Sequence, residues 1–189
     1  MGTLVGIAVC VGNKRAVATA PSEVEPTGIM TFADPNVQAL CAKTWGDGTN
    51  ITYEQAREVT EIPKNWAKGN TTITSFNEIK YFKNCRTIGA YAFESCSSMA
   101  LTSLELPQCT TIGAYAFNGC SSMALTKLEL PQCTSIGNYA FYDCSSMALT
   151  SLELPQCTSI GSEAFRGCSS MALTKLELPQ CTTIGGLAF

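Results

Sequence analysis

Apolar and polar positions in the second half of the chain recur with a fixed step. LTSLELPQCTTIGAYAFNGCSSMA (101–124) is followed by LTKLELPQCTSIGNYAFYDCSSMA (125–148) and LTSLELPQCTSIGSEAFRGCSSMA (149–172). A partial copy runs from 173 to Phe189, and NEIKYFKNCRTIGAYAFESCSSMA (77–100) keeps the second half of the unit while diverging in the first. The step is 24 residues, and residues 77–189 hold about 4.7 repeats. A unit this short cannot bury its own apolar face, so successive copies must stack into a solenoid.

Each column of the repeat has a physical role. Leu104 and Leu106 alternate with Ser103 and Glu105, which predicts a short strand with one face inward. Pro107 ends it, because Pro has no N–H for a ladder. Ile112 returns the chain to the core, and Gly113 is expected to take φ > 0 at the bend. Phe93, Phe117, Phe141, Phe165 and Phe189 form one interior column, and Met99, Met123, Met147 and Met171 form another. A methionine column can line a metal or adaptable binding surface, but interior packing is the simpler use.

The first 76 residues have a different pattern. Residues 1–20 hold an apolar run, Leu4–Val11, then a GNKR turn and a second small-apolar run, and they read as a β-hairpin turning at Gly12-Asn13. The run is far shorter than the ~18 residues needed to span a membrane. Lys14 and Arg15 follow it, whereas a signal peptide places its basic residues first. Residues 21–30 read as a linker. Residues 31–76 form a helical cap. Asp34 N-caps a helix with Pro35 at its first position, ending near Lys43, and Thr52–Gln55 is a capping box opening a second helix that ends near Thr60. Trp45 and Trp66 are expected to pack against the first coil.

Composition narrows the chemistry. The chain has eleven cysteines and no histidine. Without His there is no Ser-His-Asp triad, no Cys-His dyad and no HExxH metal site, so the chain is not expected to be an enzyme and needs no cofactor. Twelve Lys and Arg against fifteen Asp and Glu make the net charge −3, the wrong balance for nucleic acid. Nine cysteines fall on two columns: Cys85, Cys109, Cys133, Cys157 and Cys181, then Cys96, Cys120, Cys144 and Cys168. Buried thiols are the expected use. Zinc would want CxxC pairs, and a nucleophile would want an activating neighbour. Ladder disulfides remain an alternative, because coils about 4.8 Å apart fall within the span a disulfide allows.

Two surfaces are candidates for binding. Glu105, Glu129, Glu153 and Glu177 take the outward strand position of successive coils, and stacked carboxylates repel. Two positions earlier stand Ser103, Lys127, Ser151 and Lys175, so each lysine can reach between two glutamates. This face reads as a self-neutralising sheet or as a strip for cations or amines. The copies differ mainly around the Ala-Phe pair, which marks an exposed edge with the contact-prone residues Tyr115, Tyr139, Tyr142 and Arg166. Lys80, Lys83 and Arg86 form a small basic cluster on the first coil. The last coil lacks a polar cap, so Leu176, Leu178, Ile184 and Phe189 are expected to contact another subunit.

The L-x-x-L-x-L-P…IG-x-x-AF-x-x-C pattern resembles the BspA-like leucine-rich repeats of bacterial surface proteins, with extra residues between Cys120 and Leu128 and a shorter Pro-Gln-Cys link. That resemblance implies a right-handed leucine-rich-repeat solenoid of short parallel strands with an adhesive or binding role. The segment 31–62 resembles a degenerate EF-hand or dockerin-like helix-loop-helix. A calcium loop needs about twelve residues with oxygen ligands at alternate positions and a closing Glu. Here Asp47 is the only carboxylate within TWGDGTN (44–50), and Gln55 stands where the Glu belongs, so Asp47 is a weak metal candidate. The expected function is a non-catalytic binding module for a protein or glycan partner, outside the cell, at its surface or on a virion. The alternative is a structural subunit of a virion or appendage, anchored by its N-terminal segment.

Overall fold

The structure is a computed structural model that describes residues 24–189. The N-terminal hairpin expected over residues 1–20 lies outside the described residues, as does the start of the linker. Helix α1 (Pro35–Trp45) and helix α2 (Tyr53–Glu58) form where the capping signals place them. The Asp34 carboxylate accepts from the Asn36 N–H at 2.8 Å. Around Thr52 the capping box is complete: its Oγ1 accepts from the Gln55 N–H at 3.1 Å, and Gln55 Oε1 accepts from the Thr52 N–H at 2.9 Å. The end of the expected linker is tied to this cap. Ile29 bridges Thr52, and Met30 is buried.

Beyond the cap the chain winds through parallel strands. One sheet has six: β1 (Glu61–Ile62), β2 (Thr87–Ile88), β4 (Thr111–Ile112), β6 (Ser135–Ile136), β8 (Ser159–Ile160) and β10 (Thr183–Ile184), paired in that order. Its register matches identical columns, with Ile88 opposite Ile112 and Ile136 opposite Ile160. The sheet thus begins at Glu61, upstream of the first repeat legible in the sequence, and Ile62 serves where later coils use the isoleucine of TIG or SIG. A five-residue 3-10 helix (Asn77–Tyr81) occupies the place of the leucine strand in the divergent first copy.

The leucine strands are β3 (Ser103–Glu105), β5 (Lys127–Glu129), β7 (Ser151–Glu153) and β9 (Lys175–Glu177). They do not form the single four-stranded ladder that the stacking of Glu105, Glu129, Glu153 and Glu177 implies. Strand β3 pairs with β5, and β7 with β9, with no pairing between β5 and β7.

The interior is filled as the columns require. The Phe rings from Phe93 to Phe189 stack at centroid separations of 5.0, 5.2, 5.1 and 5.3 Å. Met99, Met123 and Met147 are buried beside them. Trp66 packs on Phe93 at 5.6 Å and Trp45 on Phe82 at 5.3 Å, so both tryptophans seal the cap to the first coils. In the last coil Leu176, Ile184, Leu187 and Phe189 are exposed.

Gly113 corrects the expectation made for it. It does not take a positive φ; Tyr115 does, at 58°. Gly113 is needed because a Cβ there would lie 2.5 Å from the Ala90 backbone nitrogen of the preceding coil. Gly89, Gly137, Gly161 and Gly185 meet the same obstacle.

Candidate functional site: the tyrosine edge and the glutamate face

The segment after each Gly turns by short i to i+3 bonds that alternate with bonds to the next coil. Ala116 N–H donates to Gly113 O at 3.2 Å, and Tyr115 N–H to Asn138 O at 2.9 Å. Two positions of this turn are left-handed in successive coils: Asn65, Tyr91, Tyr115, Tyr139, Glu163 and Leu187, with φ between 55° and 59°, and, four residues on, Gly69, Ser95, Gly119, Asp143 and Gly167. A non-glycine residue there costs about 1–2 kcal/mol. Three consecutive coils nevertheless carry tyrosine.

Those rings form a ladder along the edge. Tyr91 stacks on Tyr115 at 4.9 Å and Tyr115 on Tyr139 at 4.7 Å, and Tyr142 meets Tyr139 edge-on at 5.6 Å. The Tyr139 hydroxyl donates to Glu163 Oε1 at 3.0 Å, and Arg166 pairs with Glu163 Oε2 at 2.6 Å. Arg166 and Tyr139 together hold the Glu163 carboxyl below its ordinary pKa. At the other end Lys68 Nζ lies 4.5 Å from the Tyr91 ring centroid and pairs with Glu94 at 2.6 Å. The expected edge residues Tyr115, Tyr139, Tyr142 and Arg166 are therefore brought together. Tyr91 was missed as a member, although it stands in the same repeat column as Tyr115, which was the available signal.

On the glutamate face each lysine does reach between two carboxylates. Lys127 Nζ lies 3.2 Å from Glu105 and 3.1 Å from Glu129; Lys175 Nζ lies 2.9 Å from Glu153 and 3.2 Å from Glu177. These hydrogen bonds raise both lysine pKa values above the ordinary. A groove of about 370 Å³ opens between β5 and β7, lined by Thr126, Lys127, Glu129, Leu130, Ser151 and Glu153 among others. Lys80 and Lys83 line a separate cavity of about 660 Å³ together with Ser103 and Glu105.

The cysteines have a use that spacing alone does not disclose. All ten described cysteines are free thiols. Cys85, Cys109, Cys133, Cys157 and Cys181 each donate to the carbonyl two residues on, at 3.3–3.5 Å. Cys96, Cys120, Cys144 and Cys168 each donate to a carbonyl of the preceding coil, such as Cys120 to Phe93 O at 3.1 Å. Burial pushes Cys85 and Cys96 up to about 11, and Cys109 and Cys133 up to about 12. Such thiols are poor nucleophiles near neutrality.

Asp47 is exposed, and its Oδ1 accepts from the N–H groups of Thr49 at 2.8 Å and Asn50 at 2.7 Å. Its carboxylate thus holds the turn between the helices. Among the described residues no group of three His, Cys, Asp or Glu is placed to hold a metal ion. No described helix is long and apolar enough to cross a membrane.

A solenoid of stacked 24-residue coils with columns of Leu, Ile, Phe and Cys inside is a leucine-rich-repeat protein. The chain belongs to the BspA type of that repeat, whose region matches residues 60–189 in six copies. No curated protein matches the chain. Among solved structures it is similar to a leucine rich repeat protein of T. pallidum, at 32% identity and TM-score 0.47, over 56% of this chain and 47% of that one. It is also similar to a leucine rich cell surface protein from Faecalibacterium prausnitzii A2-165, at 21% identity and TM-score 0.40, over 62% of this chain and 43% of that one. The matched region thus spans about half the length of these proteins or less.

Proposed function

We propose that the chain is a non-catalytic binding module of a cell-surface protein and holds a protein or glycan partner along the tyrosine edge. The observation that carries this reading is the ladder Tyr91, Tyr115, Tyr139 at left-handed φ. Asn65 and Glu163 occupy the same backbone position with nearly the same φ, so the fold itself does not require a ring there. Half-buried phenols on a rigid scaffold supply contact area at small entropic cost. The repeat family supports the same reading.

The test is an array of glycans and surface proteins probed with the wild type and with Tyr115→Asn/Tyr139→Asn. Asn tolerates αL, so the backbone is retained. We expect a hit whose affinity falls about tenfold or more in the double variant while the unfolding midpoint changes little. Hits unaffected by the double variant would remove the edge from the binding surface.

A further inference from the structure

The interrupted ladder between β5 and β7 is local. The two coils concerned stay bonded elsewhere: Ser135 pairs with Ser159, Phe141 N–H donates to Ala164 O at 2.7 Å, and Gly161 N–H to Ile136 O at 2.8 Å. At the neighbouring steps Leu106 N–H donates to Glu129 O at 3.2 Å and Leu154 N–H to Glu177 O at 3.0 Å. The equivalent bond from Leu130 N–H to Glu153 O is not made. The threonine hydroxyls repeat the break. Thr126 Oγ1 donates to Thr102 O and Thr174 Oγ1 to Thr150 O, but Thr150 makes no such bond to Thr126.

The side chains explain where the break falls. Serine and lysine alternate along the face, so Lys127 closes the step between Glu105 and Glu129, and Lys175 the step between Glu153 and Glu177. At the middle step Ser151 stands where a lysine would be. Glu129 and Glu153 each engage their own lysine through Oε1, leaving Oε2 outside any ion pair. Four glutamates against two lysines leave this face two negative charges in excess. The groove opens at that step, with unpaired backbone groups at its walls.

We propose that this slot receives the side chain of a lysine borne on an extended segment of a protein partner, its ammonium completing the alternation between Glu129 and Glu153. The chemistry is already displayed twice on the same face, where an ammonium lies 2.9–3.2 Å from two carboxylates of adjacent coils. The ammonium's third N–H meets the Ser151 hydroxyl, and the open edges of β5 and β7 serve the partner's flanking peptide groups. Both walls are half exposed to water, so a single lysine binds weakly. The site is separate from the tyrosine edge and stands or falls independently of it.

The probe is a terminally blocked tripeptide with lysine at its centre, titrated to about 10 mM against the full chain and followed by amide NMR shifts. Saturable shifts of the Leu130 and Ser151 amides are expected, with none from the same peptide acetylated on the lysine. Glu129→Gln/Glu153→Gln should weaken binding about tenfold or more, whereas Glu58→Gln/Glu61→Gln, which removes equal charge elsewhere, should stay within about twofold. Ser151→Lys, which supplies the ammonium internally, should abolish binding; if that variant fails to fold, the glutamine pairs carry the test. No saturable shift, equal binding of the acetylated peptide, or equal loss in the two glutamine pairs would overturn the proposal.

Discussion

Asp34 is the one buried polar side chain among the described residues, and it ties the cap to the solenoid. It caps α1 through Asn36, and its other oxygen accepts from the backbone N–H of Thr74 and, at 2.9 Å, from the Thr74 hydroxyl. Burial alone would raise its pKa, but hydrogen bonds from Thr74, Asn36 and Ser75 outweigh that and hold it at about 2. The folded pKa is depressed, so the carboxylate stabilises the fold above the unfolded pKa. That stability is lost as pH falls from about 4 toward about 2, and the full shift corresponds to about 2 kcal/mol. Asp34→Ala should lose about 2 kcal/mol or more at neutral pH, and the difference from wild type in urea unfolding should shrink below about pH 4. The helix-capping half of this role was legible from Asp34-Pro35. The half directed at Thr74 was not, because the partner lies forty residues away in sequence. The same holds for the thiols: their columns were legible, their carbonyl acceptors were not.

The elements owe their spacing to the glycine after each isoleucine. Two-residue strands hold coils together only if the backbones that follow approach closely, and any Cβ at Gly137 would sit 2.5 Å from the Ala114 nitrogen. Gly119 differs: it has φ 71° and its nearest neighbour to a Cβ is 3.7 Å away. Gly137→Ala should therefore lower stability by about 3 kcal/mol or more through a backbone clash, and Gly119→Ala by about 1 kcal/mol through conformation alone. Thermal unfolding of the two variants separates these. The leucine strands were legible as a period-two pattern ended by Pro107. The six-stranded Thr-Ile sheet was not anticipated as strand, because two residues per coil are too few to show any period. The serine–lysine alternation was legible too, but its consequence, a sheet split between β5 and β7, depends on which neighbours each lysine draws together.

For the molecule as a whole, stability is a sum of coils and of their interfaces. The inner coils are covered on both sides, while the last exposes Leu176, Ile184 and Leu187. Hydrogen exchange should follow that gradient. The Gly137 and Gly185 amides make equivalent 2.8 Å bonds to Ile112 O and Ile160 O, yet Gly137 should exchange about a hundredfold more slowly. Uniform protection from Gly89 to Gly185 would mean that the array opens as one unit. At the other end the solenoid reaches Glu61, and Ala67, bonded to the next coil as Phe93 is, takes the place of the column phenylalanine, with the Trp66 ring edge-on to Phe93 at 5.6 Å.

The sequence by itself determined the architecture. A 24-residue step repeated through Leu, Ile, Phe, Met and Cys columns admits only stacking, because each coil can bury its apolar side chains only against the next. Tertiary structure decided which polar groups meet. Tyrosines in different coils became a stacked edge because the turn bonds place them at one left-handed position. Four glutamates became two lysine-bridged pairs with a slot between them because the two ammonium groups close only alternate steps. Apolar burial follows from periodicity and needs no partner identity. Hydrogen bonds and ion pairs are short-ranged and directional, so they are fixed only once the coils lie side by side.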